Sequence, residues 1–367
     1  MTHNHEIRIF EIMSTDDYLY AGDAEIHIVG CRNKPKGQLI IPQEIDGAPV
    51  TSIGYEAFRE CHDLISLVIP NTVRDINLRA FCLCTGLESV HLGGGVTQIS
   101  PSAFKDCFNL NNLCIGNKVE YIGNNAFEGC SRLSEVTIPD SVKCLGNSVF
   151  AKCSGLNSVI LGNGVADVGY GAFSHCRISS LVLGNNVKRI GEHAFEYSRL
   201  KKLIIPDSLQ TIGAHAFRAC LGLEEIILGN NISELGDYAF EICSDLKRVA
   251  IPATLSVMGF RVFDGCSSLK TIEVSPDNQV YSSYDGVLFN KDKTQLIHYP
   301  AAKEGHYAVP EGVLSIAHGA FEKCEMLAGI SLPATLQRID KDAFHGCINM
   351  NSIEMGGGIV EIAAQAF

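Results

Sequence analysis

VEYIGNNAFEGCSRLSEVTIP, residues 119–139, decides the fold, because nearly all of the 367-residue chain repeats it. Val119 and Ile122 precede Gly123; Ala126-Phe127, Cys130 and Leu133 follow, and Val136, Ile138 and Pro139 close the unit. The same order surrounds Phe58, Phe81, Phe104, Phe150, Phe173, Phe195, Phe217, Phe240, Phe263, Phe321, Phe344 and Phe367. The spacing is 23 residues, except 22 into Phe195 and Phe217 and 58 between Phe263 and Phe321. A fixed period in this range is the signature of a solenoid.

Within one unit, Val136-Thr137-Ile138 alternates with period two, so Val136 and Ile138 share one face of a short strand and Thr137 takes the other. Pro139 suits the strand end, since it has no N–H to give to a ladder. Val119-x-x-Ile122 reads as a second short extended segment. Gly123 is read as allowing a tight bend, and Asn125-Ala126-Phe127-Glu128 as a single helical turn. A single coil has no way to bury its own apolar residues, so coils stacked at about 4.8 Å must bury each other's. Fourteen rungs, from Leu39-Ile41 to Ile353-Met355, predict a parallel sheet roughly 65 Å long. The expected class is an α/β repeat: a parallel sheet on one face, with short second strands and single helical turns on the other.

The frame IGxxAFxxCxxLxxIxIPxxV resembles the BspA-like leucine-rich repeats of bacterial cell-surface and secreted proteins. The resemblance runs from Ile41 to Phe367. It includes the opening segment Ile41 to Gly54 and the interruption Tyr284 to Asp292 with His298-Tyr299-Pro300 after it. The resemblance implies adhesion to macromolecules rather than catalysis, and a cell-surface or secreted location. It brings no catalytic residues to carry over.

The expected organisation is an N-terminal β cap over residues 1–37, then a solenoid over 38–367. In the cap, Ile7, Ile9 and Glu11, then Tyr18 and Tyr20, then Ile26 and Ile28 alternate between turn residues. An insert at 275–311 is expected to form a hairpin, Tyr281 to Phe289 against Gln295 to Tyr299. Its Asp285-Gly286 and Asn290-Lys291-Asp292 lack the acidic spacing of a calcium loop. The chain stops in mid-repeat, which would leave Ile359, Ile362 and Phe367 uncovered, and suggests a continuation or a covering partner. The first twenty residues lack a signal peptide's cationic start and apolar core. Two alternatives follow: a cytosolic chain, or one whose signal has been removed.

Eleven of the fifteen cysteines lie three residues after a ladder Phe, as Cys130 does, and Ser198 holds the twelfth such site. One Cys per coil is a packing choice, so reduced, buried thiols are expected. Charged residues are 19% of the chain and the net charge is −12, which argues against a nucleic-acid partner. No apolar run reaches the length of a membrane span. Neither G-x-S-x-G, H-E-x-x-H nor G-x-x-x-x-G-K-[ST] occurs, so no enzyme, cofactor or metal site is expected.

Binding must then use residues that the repeat leaves free. Ile160, Val182, Ile204, Ile227 and Ala250 occupy the outward strand position in five consecutive rungs and predict an apolar stripe. Cross-strand packing of β-branched residues is the competing reading. Lys202, Glu225 and Arg248 flank the stripe with alternating charge. The expected function is a non-enzymatic, monomeric binding or adhesion module for a protein or glycan. The alternatives are a spacer that holds another domain away from the cell and, last, an enzyme with its site at the insert.

Overall fold

The strand Glu135–Ile138 buries Val136 and Ile138 and exposes Glu135 and Thr137, the period-two alternation of the repeat. In a computed structural model, which describes residues 15–367, that strand pairs in parallel with Ser158–Leu161 of the next coil, Val136 opposite Val159 and Ile138 opposite Leu161. Two-residue second strands stack likewise: Tyr121–Ile122 lies between Gln98–Ile99 and Cys144–Leu145. The chain divides into two compact units, Met1–Gly184 and Asn185–Phe367. Each is a parallel β-solenoid, with about 15 turns in all.

The fourteen expected front strands are present, but not as one sheet. In unit 1 the run from Gly37–Ile40 to Asn112–Cys114 is separate from the run Glu135–Ile138 to Ser180–Val182. Asn111 and Asn112, poor strand formers, begin the rung beside this break, and its inward Leu113 and Ile115 are only half-buried. In unit 2 the break falls at the insert, between Thr271–Val274 and Gly305–Ala308.

The expected helical turns do not form, and the α/β class gives way to a β-solenoid. Among the described residues the only helix is a three-residue 3-10 turn, Thr15–Asp17. The reason lies in where the N–H groups go. Ala126, Glu128 and Cys130 donate to carbonyls three residues back, those of Gly123, Asn125 and Phe127. Asn125, Phe127 and Gly129 donate instead to Asn147, Val149 and Ala151 of the next coil. An α-helix keeps every N–H for its own carbonyls. This alternation needs left-handed residues two before and two after each Phe, at Asn125 (φ 58°) and Gly129 (φ 80°) here.

Inside each unit the Phe side chains stack. From Phe58 to Phe173 adjacent ring centroids lie 5.2–5.4 Å apart, and the planes agree within 7°. Beside them runs a column of thiols. Cys130 Sγ donates to Phe104 O at 3.4 Å and Cys153 Sγ to Phe127 O at 3.2 Å, each to the Phe one coil back. Burial pushes the Cys153 and Cys243 thiols well above their ordinary range, so they stay protonated donors. Gly123 is not in a left-handed conformation: a Cβ there would stand 2.5 Å from Pro101 N of the preceding coil. Close approach, rather than a bend, excludes a side chain at this position.

Of the cap, Ile7, Ile9 and Glu11 lie outside the described residues. Tyr18–Ala21 pairs antiparallel with Ile26–Cys31, which joins Ala48–Ile53 in parallel and so begins the second-strand sheet of unit 1. The insert holds three strands where two were expected. Tyr281–Tyr284 turns into Val287–Asn290, which pairs antiparallel with Gln295–His298. Asp285 and Gly286, at φ 50° and 74°, make the extra two-residue turn, a known preference of Asp-Gly. At the end of unit 2, Ile362 and Phe367 are exposed and Ile359 is half-buried.

Candidate functional site

Outward residues on the front strands project from a backbone that hydrogen-bonds to both neighbours, so adjacent rungs set their spacing. In unit 1, Ile160 is directly opposite Val182, and they are 44% and 52% exposed. In unit 2, Ile204 faces Ile227 across the ladder, 60% and 42% exposed. Each pair is a doublet of aliphatic side chains in water. Ala250, also exposed, belongs to the next strand of unit 2, Arg248–Ile251.

That last strand departs from the regular stack. Lys202–Ile204 matches Glu225–Ile227 over three residues, whereas Glu225–Ile227 meets Arg248–Ile251 only at Glu225 opposite Arg248. The ladder then opens, and a cleft of about 230 Å³ lies among Ile227, Leu228, Ala250 and Glu273. Leu228, an inward residue by pattern, is only half-buried there. Sequence reasoning missed this cleft. The available signal is Ala250, a short side chain between the larger Ile227 and Glu273.

The flanking charges pair across the strands. Lys202 Nζ is 2.9 Å from Glu225 Oε2, and Arg248 Nη2 is 3.6 Å from Glu225 Oε1. The hydrogen bond from Lys202 holds the Glu225 carboxyl below its usual range. One residue earlier on the same two rungs, Lys247 Nζ lies 2.5 Å from Glu224 Oε2. Such exposed pairs contribute little to stability. They do fix where charge sits around the Ile204–Ile227 doublet, one acid between two bases.

Among the described residues no three His, Cys, Asp or Glu side chains converge as a metal site. No helix there is long and apolar enough to cross a membrane. The front face offers exposed apolar contact and paired charge.

Comparison with known proteins agrees with this architecture. A solved leucine-rich repeat protein from Bacteroides ovatus superposes with a TM-score of 0.70 at 25% identity, covering 97% of this chain and 91% of that one. A leucine rich cell surface protein from Faecalibacterium prausnitzii gives 0.56 at 23% identity, covering 93% and 94%. No curated protein matches. The model of the BspA type leucine rich repeat region matches residues 51–179, 167–291 and 305–367, in six copies. With coil, Phe–Cys columns and motif in agreement over most of its length, the chain belongs to the BspA-type leucine-rich-repeat family.

Proposed function

We propose that the chain is a non-enzymatic binding module, displayed at the cell surface or secreted, that seats a protein partner on the front sheet of unit 2. The observation that carries this reading is the Ile204–Ile227 doublet beside the opened ladder at Ala250. Two branched aliphatic side chains in water, next to a cleft, are a surface that loses solvent when a partner covers it. Leucine-rich repeats commonly mediate protein interaction, which supports a protein over a glycan as the occupant. Lys202, Glu225 and Arg248 surround the doublet as a rim and favour partners of complementary charge. The Ile160–Val182 doublet of unit 1 is a second surface of the same kind.

An array of extracellular proteins and glycans, probed with the purified chain and then with an Ile204→Asp/Ile227→Asp variant, tests this. A protein ligand should be found, and the variant should bind it at least about tenfold more weakly, since two apolar anchors are lost. Circular dichroism should stay unchanged, because both side chains face solvent. A ligand held equally well by the variant would refute the assignment to this face. A chain that binds nothing would support the spacer reading.

A further inference from the structure

The repeat skips from Phe263 to Phe321, and the meander of the insert does not fill the space of a regular coil. Phe240 and Phe263 still stack at 6.0 Å, but Phe263 meets His298 at 6.2 Å with the rings tilted by 57°. Parallel stacking resumes only at Tyr299 and Phe321, 4.8 Å apart. The mismatch leaves a cavity of about 140 Å³ within unit 2, walled by residues 258–264, by Ile297 and His298, and by residues 317–319. A cavity near 150 Å³ is large enough for one benzene ring. Its wall suits a ring: Phe260 stands edge-on to His318 at 4.8 Å, and Val262, Phe263 and Ala317 complete it.

Two polar groups in this wall are uncommitted. Arg261 gives Nη2 to Asp264 Oδ2 at 2.9 Å and to Glu322, yet its Nε is buried without a partner. A Cβ on Gly319 would lie 3.3 Å from Glu322 Oε2 and 3.8 Å from that Nε, so a glycine keeps a side chain out of this corner. A buried donor left unpaired is costly, and a ligand oxygen would recover that loss. No hydrogen bond among the described residues reaches a ring nitrogen of His298. Burial lowers its pKa to about 4, so at neutral pH it offers one donor and one acceptor nitrogen. Asp264 and Glu322 already neutralise Arg261, and Asp342 lies 3.4 Å from His318, so a further anion would meet no excess of positive charge.

We infer that this cavity binds a small uncharged aromatic molecule bearing one hydroxyl, a simple phenol. The ring lies against Phe260 and Phe263. The hydroxyl oxygen accepts from Arg261 Nε–H and its hydrogen goes to the acceptor nitrogen of His298. This site is independent of the front-sheet reading and shares no residue with it.

Titrations of the full chain with phenol, toluene and benzoate, followed by protein and ligand NMR signals, test the inference. Phenol should bind with a Kd on the order of 1 mM, as expected for seven heavy atoms. Toluene, which leaves both polar groups unpaired, and benzoate, which brings a charge, should each bind at least about fivefold more weakly. Ala317→Leu fills the cavity and should abolish phenol binding. His298→Phe keeps a ring in the wall and should shrink the preference for phenol over toluene. Equal affinity for the three probes, phenol binding unchanged in both variants, or no phenol binding at about ten times that Kd would overturn the assignment. If Ala317→Leu fails to fold, the phenol-to-toluene ratio in His298→Phe decides alone.

Discussion

A single thiol shows how the repeat selects its residues. Phe127 O already accepts from Cys130 N at 3.3 Å, and its second lone pair takes Cys153 Sγ of the next coil. A Cys therefore fills a small apolar site and also supplies a weak donor. Ser198 holds the equivalent site in its coil, 1% exposed, and its Oγ finds no partner among the described residues. The C–S bond is longer than C–O, so a thiol reaches farther and costs less to leave dry. Ser198→Cys should raise stability by about 1 kcal/mol, seen as a higher urea midpoint at unchanged slope. A lower midpoint would mean that the hydroxyl is better satisfied than the geometry indicates.

At the scale of the element, the turn after each second strand is governed by how closely coils approach. A Cβ on Gly146 would lie 2.6 Å from Asn124 N and from Gly123 C, backbone atoms that are held by their own ladder. Gly146→Ala should cost about 3 kcal/mol, in the range of an overpacked core, whereas Gly357→Ala, with nothing within 4 Å, should be near neutral. Urea midpoints of the two variants check this; similar midpoints would show that the coils can separate without cost. Much of the coil was legible beforehand: the Phe and Cys columns, the alternation of Val136 to Ile138, and the number of front strands all follow from period and pattern. The helical turn was misread for a physical reason. Ser148, Tyr238 and Ile242 all sit at positive φ, yet none belongs to the types that favour it. Only the hydrogen bonds to the next coil impose that conformation, and no local signal announces them. The Ala250 cleft and the Phe260–His298 cavity were equally hidden, since each depends on how much of a regular coil is missing.

For the molecule as a whole, stability in an array of coils is close to a sum of coil and neighbour terms, so a defect in one coil is felt in the total. His298 occupies such a defect, and burial lowers its pKa from 6.5 to about 4. Above pH 6.5 it is neutral whether the chain is folded or not, and it adds no pH dependence. Between 6.5 and about 4 the unfolded chain takes up a proton on this imidazole that the folded chain refuses, so acid favours unfolding. Below pH 4 both states carry the proton and the contribution levels off. A shift of this size corresponds to at most about 3 kcal/mol, and less if water reaches the half-buried ring. Arg261, Asp264 and His318 line the same cavity. His298→Phe removes the one imidazole while leaving those groups in place. Unfolding free energies of the two proteins, measured from pH 7.5 to 4, should therefore diverge as the pH falls, with the variant gaining relative to the wild type only below pH 6.5. Parallel curves would show that His298 is solvated in the folded chain, and that the skipped coil is filled more completely than its side chains indicate.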